Sequence, residues 1–204
     1  MNRMKIIAVM MVCALSLNCM AQSVDSKQIQ KMARKEAKKL KKEGWLITPG
    51  TLPLEIQLER AYNSELNSDE AMVLGESQSI AQNYDAGKIQ AMELARQEIA
   101  GKIGSQTTAI VDNLVGNKQM GAEEAATITT LLSKGKTIYS QKIGRIQILI
   151  ECYRVLENKN KEVLVRVATK ESEVKEAIKD YLREEMEKKG EKMNDNLVKM
   201  LSSK

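Results

Sequence analysis

Residues 145–167 read RIQILIECYRVLENKNKEVLVRV, and this segment determines the fold class that we expect. Apolar residues take every second position in its first half: Ile146, Ile148, Ile150 and Cys152. That period of two predicts a strand with one strongly apolar face. Residues 158–161 predict a turn, and three alternating valines predict a second strand: Val163, Val165 and Val167. Together the two segments predict an antiparallel β-hairpin.

Helical periodicity surrounds the hairpin. Helices are predicted over residues 24–43, 51–66, 85–115, 122–133 and 170–189, and a further strand over residues 71–79. Thr51 is the predicted N-cap of the second helix. The order is two helices followed by β-α-α-β-β-α, which predicts an α+β fold with a small antiparallel sheet packed against helices. Gly75 predicts a bulge or a close contact, and Gly101 and Gly104 predict close packing against another backbone, or a kink.

The first 21 residues, MNRMKIIAVMMVCALSLNCMA, have the pattern of a secretory signal peptide. A basic start precedes an apolar run that is shorter than the roughly 20 residues a membrane span needs. Cleavage after Ala21 is predicted, so that the mature chain begins at Gln22. We expect export to the periplasm or outer-membrane periphery of a Gram-negative-type cell. In the alternative interpretation, Cys19 is a lipid-acceptor cysteine.

Several chemistries lack the residues that they require. Histidine is absent, which excludes imidazole catalysis and histidine metal sites, and cleavage after Ala21 leaves Cys152 as the single cysteine. Cys152 lies on the isoleucine face of its strand, so it is expected in the core as an inert thiol. Paired carboxylates are expected on solvated surfaces: Asp69/Glu70, Glu123/Glu124 and Glu184/Glu185. We therefore predict no catalytic residue, no metal and no cofactor.

Positive charge is concentrated in the first predicted helix. The signal peptide takes two of the 32 basic residues and none of the 27 acidic ones, which leaves the mature chain at +3. Residues 24–43 hold eight bases and three acids, so they carry +5 and the rest about −2. In one hypothesis, four lysines of this helix face an anionic membrane: Lys31, Lys35, Lys38 and Lys42. Three apolar residues would then dip into the interface: Ile29, Met32 and Leu40. In the other hypothesis, this apolar stripe packs against the rest of the protein, which we call the body.

The hairpin provides a second candidate interaction surface. Its edge strand is expected to pair with a partner, with Leu149 and Tyr153 exposed on a mixed face. Trp45 is expected to anchor the first helix to the body. The predicted partner is an envelope protein, or the membrane or cell-wall surface, and self-association is left open. Nucleic acid is excluded because the chain is exported and the basic helix has no aromatic residue for base stacking.

Four segments resemble a known envelope family. They are Val73-Leu74-Gly75-Glu76 and residues 86–100, 143–150 and 161–167, within a similarity that covers residues 71–189. The family includes a small outer-membrane lipoprotein type and the N-terminal domain of a flagellar-ring-associated envelope protein. The resemblance implies a structural or assembly role without catalytic residues. Residues 22–68 look like part of an uncharacterised group of exported proteins. The predicted organisation is thus a signal peptide (1–21), a basic arm with a second helix (22–68) and an α+β envelope domain (69–204).

Overall fold

The computed structural model of this protein describes residues 24–202. These residues form six helices and three strands: α1 (Ser26–Lys42), α2 (Leu54–Leu66), β1 (Met72–Ala81), α3 (Tyr84–Gly116), α4 (Ala122–Lys142), β2 (Gln147–Val155), β3 (Lys161–Lys170), α5 (Glu171–Lys188) and α6 (Asp195–Ser202). The predicted α+β class and the two leading helices are confirmed. The predicted signal peptide, including Cys19, lies outside the described residues.

The sheet has β3 in its centre, paired antiparallel with β1 on one side and β2 on the other. The predicted hairpin is therefore present as β2 and β3. A β-bulge between Ile148 and Ile150 interrupts the alternation of β2. A bulge adds one residue to a strand and so reverses which face the following side chains point to.

This bulge makes the prediction of one continuous isoleucine face wrong. Ile146 packs against the cluster that contains Val165 and Val167, whereas Ile150 and Cys152 belong to the cluster on the opposite face of the sheet. Period-two alternation places these residues on one face only where the pleat is regular. Beside the bulge, Leu149 is 5% exposed and Ile148 is 37% exposed.

The sheet lies between two helical layers. α3 packs along β1 and β3, and with α4 and α5 it encloses the larger core around Val163 and Ile103. The opposite face of the sheet carries a second core to which α1 and α2 contribute Leu40 and Leu58. The predicted basic arm thus shares a hydrophobic core with the sheet.

Two helix boundaries differ from their predictions by three residues or more. α2 begins at Leu54 after Pro53, so the prediction that Thr51 caps this helix is wrong. The Thr51 hydroxyl instead donates to the Thr48 carbonyl at 2.7 Å and closes a turn. α4 continues nine residues beyond the predicted end at 133, because it buries a further turn around Gly135 and Tyr139.

Glycines at two positions allow close packing between elements. A Cβ on Gly75 would lie 2.2 Å from the Ala95 carbonyl oxygen, so β1 meets the backbone of α3 there, as the predicted close contact requires. A Cβ on Gly104 would lie 2.6 Å from the Tyr139 hydroxyl, and α3 runs on without a break. Gly104 therefore allows the close packing of α4 on α3 through a tyrosine side chain. The prediction that Gly101 and Gly104 pack against another backbone or kink the helix is wrong, because both face side chains and α3 is continuous.

Candidate functional site

The outer side of α1 presents a row of lysines. Successive helical residues are rotated by about 100°, so side chains at spacings of 4, 3 and 4 share one face. The buried stripe consists of Ile29, Ala33, Ala37 and Leu40. The opposite face carries four exposed side chains, which we call the lysine face: Lys31, Lys35, Lys38 and Lys42. Between residues 24 and 202, none of the four forms an ion pair within 4.0 Å.

The apolar residues of α1 do not lie on the exposed side of the helix that carries the lysines. Ile29 is fully buried and Leu40 is 8% exposed, and Met32 is half-buried beside a groove. The expectation that these side chains dip into a membrane is therefore wrong, because α2 and the sheet already cover the stripe. The structure instead confirms the prediction that the stripe docks on the body.

A partly buried ion-pair network holds α1 to the sheet. The Arg166 guanidinium lies 2.5 Å from a Glu76 carboxylate oxygen and 3.1 Å from one of Glu36, and the Tyr62 hydroxyl donates to Glu36. Burial lowers the pKa of Arg166, but the two carboxylates outweigh this and raise it above its ordinary value. Burial and the Glu36 hydrogen bond raise the pKa of Tyr62 to about 12, so this phenol stays protonated.

This network lies in a groove of about 820 Å³ between α1, α2, β1 and α3. Lys35 belongs both to the lysine face and to the lining of this groove. Four basic and four acidic residues line the groove: Lys35, Lys39, Lys102, Arg166, Glu36, Glu65, Glu76 and Glu98. The groove is therefore electrically balanced, and its most buried charge, Arg166, is already paired. Sequence reasoning missed it because the ion-pair partners lie 90 and 130 residues apart. We assign the network a structural role.

Side chains and a loop occupy both edges of the sheet. On β2, Tyr153 exchanges two backbone hydrogen bonds of 2.7 and 2.9 Å with Leu46, and the Glu151 N–H donates to Gln57 at 2.7 Å. On β1, the Glu76 N–H donates to Glu98 at 2.8 Å, and the Lys102 ammonium donates to the Leu74 carbonyl at 2.7 Å. These contacts occupy part of the β2 edge that the hairpin was expected to offer to a partner, and pairing with a partner stays a prediction.

The two hairpin residues predicted to contact a partner do not form a shared exposed surface. Leu149 is buried in the core under α1 and α2, so its expected place on an exposed mixed face is wrong, because these two helices cover that face of the sheet. Tyr153 is half-buried and stacks edge-on against Tyr84, with ring centres 5.5 Å apart. Trp45 is 4% exposed in the same core as Leu149, which confirms its predicted role as an anchor.

Glu151 forms a second polar cluster that sequence reasoning did not identify. Its carboxylate accepts a hydrogen bond from the Tyr84 hydroxyl and lies 2.9 Å from the Lys88 ammonium. Burial raises the pKa of Glu151 above its ordinary value of 4.5. The only sequence signal was an acidic residue inside an apolar strand, which indicates a buried partner without naming it.

The remaining candidate groups are placed as follows. Cys152 is fully buried, and burial, with a further contribution from Glu76, raises the pKa of its thiol to about 12, consistent with the predicted core position. The carboxylate of Glu184 pairs with Lys142 at 2.6 Å, and that of Glu185 pairs with Lys188. Among residues 24–202, no group of three or more metal-ligating side chains is placed to hold an ion.

Comparisons with known proteins leave the family open. Searches against protein-family models, curated proteins and solved structures gave no significant match to this chain. The resemblance to the envelope family therefore stays a prediction based on residues 71–189. None of the helices in the described part of the chain is long and apolar enough to cross a membrane.

Proposed function

We propose that this chain is a non-enzymatic, exported protein of the cell envelope that binds an anionic envelope surface through the lysine face of α1. One observation carries the proposal. The four lysines are exposed and unpaired among the described residues, and they point away from the stripe that fixes α1 to the body. Export is supported by the signal pattern of residues 1–21, and an assembly or structural role by the family resemblance.

Electrostatic attraction would hold the lysine face against an anionic surface. Near an anionic surface each basic residue contributes about 1 kcal/mol of attraction, and salt screens the effect over a Debye length of roughly 8–10 Å. Because Ile29 and Leu40 are already buried, the lysines are displayed on a helix that is fixed before binding. Such pre-organisation lowers the ordering entropy that binding would otherwise cost.

Anchoring by a lipid on Cys19 is the alternative way to reach an envelope surface. It would place α1 within a few residues of a membrane, so the lysine face would act beside the lipid anchor. The intact mass of the protein purified from its host separates the two cases. A mass that begins at Gln22 indicates cleavage after Ala21, whereas a mass that begins at Cys19 with acyl chains indicates a lipoprotein.

The proposal is tested by co-sedimentation of the purified protein with isolated envelopes at increasing salt. The test variant carries Lys→Gln changes at positions 31, 35, 38 and 42. A matched control carries Lys→Gln at four exposed positions elsewhere in the chain, 134, 189, 192 and 199, so that both variants lose the same charge. We expect salt-sensitive binding by the wild type and the control, and its loss in the test variant. Equal binding by both variants would overturn the proposal.

A further inference from the structure

The loop between α1 and α2, together with the start of α2, carries four exposed apolar side chains that lie close together in the chain. Residues 44–54, GWLITPGTLPL, contain no charged residue. Four large apolar residues at or next to this loop are 39–50% exposed, and we call them the loop patch: Leu46, Ile47, Leu52 and Ile56. They are four of the twelve large hydrophobic residues exposed between residues 24 and 202, and they fall within eleven positions of the chain. Scattered exposed apolar residues need no explanation, but a cluster indicates an interaction site.

Hydrogen bonds at both ends hold the loop patch in place. Leu46 is paired with Tyr153 at the edge of β2 through bonds of 2.7 and 2.9 Å. The Gln57 side chain donates to the Leu52 carbonyl at 2.6 Å and accepts from the Glu151 N–H at 2.7 Å. Beneath the loop, Trp45 is buried in the core. The apolar side chains are therefore displayed on a fixed loop rather than on a free linker.

Basic residues border the loop patch on the side of α1. The last turn of that helix carries Lys39, Lys41 and Lys42, of which Lys39 lies 3.9 Å from Glu43. Ile56 lies on the side of α2 opposite its buried residues Leu54 and Leu58, since two residues advance the helix by about 200°. The surface thus changes from positive charge on α1 to uncharged apolar side chains on the loop.

We propose that the loop patch inserts into the interfacial region of an anionic lipid bilayer, with the lysine face lying on the headgroups. This inference rests on the proposed function and narrows its anionic surface to lipid. Interfacial binding grows with buried apolar area and with attraction between basic residues and anionic headgroups, and the chain places the two features next to each other. The bound apolar element is the loop, since the apolar stripe of α1 is already buried.

The experiment uses vesicles of phosphatidylglycerol mixed with phosphatidylcholine, and vesicles of phosphatidylcholine alone. The test variant is Leu52→Ser/Ile56→Ser, and the matched control is Ile89→Ser/Ile138→Ser, which changes exposed isoleucines on α3 and α4. We expect the wild type and the control to bind only the anionic vesicles, and the test variant to bind about tenfold more weakly or worse. Circular dichroism checks that each variant is folded.

Insertion itself is read from a Leu52→Trp variant, with Ile89→Trp as its control. Acyl chains brominated near the interface should quench the fluorescence of the new tryptophan at position 52 and leave the fluorescence of the one at position 89 unchanged. Insertion of the loop patch would be overturned if the protein binds vesicles without quenching at position 52 and if the Leu52→Ser/Ile56→Ser variant binds as well as the wild type. That result would leave the electrostatic function intact. Lysine-dependent binding to isolated envelopes without binding to vesicles would likewise overturn the lipid assignment alone. A dimer that dissociates in the Leu52→Ser/Ile56→Ser variant would show that a second copy covers the loop patch, and would also overturn it.

Discussion

Arg166 on β3 and Glu36 on α1 form an ion pair of 3.1 Å between residues 130 positions apart. The same guanidinium holds Glu76 of β1, so one side chain connects the basic helix with two strands of the sheet. Beside it, Leu40 and Trp45 bury the end of α1 in the core on that face. The lysine face is thus part of a fixed body, which is the structural basis of the proposed function.

Arg166→Gln should lower the free energy of unfolding by about 2 kcal/mol, because Glu36 and Glu76 lose their shared, partly buried partner. Arg183→Gln is the control, since Arg183 lies exposed on α5 and its change should cost less than about 0.5 kcal/mol. Urea unfolding measures both variants. Equal midpoints would show that the network does not hold α1 to the sheet.

Gly75→Ala should destabilise the protein by about 3 kcal/mol, because the new methyl group would lie 2.2 Å from a backbone oxygen that cannot swing aside. Gly101→Ala is the matched change on α3. Its Cβ would meet only the flexible Lys136 side chain at 3.5 Å, so the gain in helix propensity should stabilise the protein by up to about 1 kcal/mol. Thermal unfolding compares the two variants, and destabilisation by both to the same extent would contradict the packing described for Gly75.

Glu151 should make the wild type lose stability relative to Glu151→Gln as the pH rises from about 4.5. The folded-state pKa is raised, so over this range the folded protein keeps a proton that the unfolded chain has released. Stability from this group therefore falls with rising pH until the folded carboxyl ionises too. Urea midpoints of both proteins between pH 4 and neutrality test this. Parallel curves would mean that Glu151 does not titrate as its burial implies.

Cys152 should react with Ellman's reagent only as fast as the protein unfolds, because the thiol is fully buried and its pKa is raised to about 12. The labelling rate is compared with the unfolding rate from circular dichroism at the same urea concentration. A guanidinium-unfolded sample provides the fully reactive control. Rapid labelling of the native protein would show that the thiol is accessible.

Local patterns in the sequence were enough to predict most of the fold. The alternating valines of β3 and the helical stripe of α1 lie where periodicity places them, because each pattern matches the geometry of a single element. The glycine at position 75 and the tryptophan at position 45 also indicated the close contact and the anchor that the structure contains.

Features that depend on distant partners were not predictable in this way. The bulge before Ile150 is set by the pairing with β3, and it turns Ile150 and Cys152 to the face that Leu149 occupies. That face is buried because α1 and α2, which are distant in the chain, pack on it. The Arg166 network joins three separate segments, and the Glu151 cluster joins β2 to α3. The exposure of the loop patch likewise depends on the burial of Trp45 beneath it. Such positions are decided by tertiary packing rather than by local periodicity.

Lysine footprinting on isolated envelopes shows directly whether α1 is the surface that contacts the envelope. The purified protein is acetylated at low occupancy with and without envelopes, and the modified sites are quantified by mass spectrometry. Binding through α1 should protect the lysine face, Lys31, Lys35, Lys38 and Lys42, while exposed lysines on α4 and α6, Lys134 and Lys199, keep their reactivity. Uniform reactivity of all these lysines, or protection confined to Lys134 and Lys199, would contradict binding through α1.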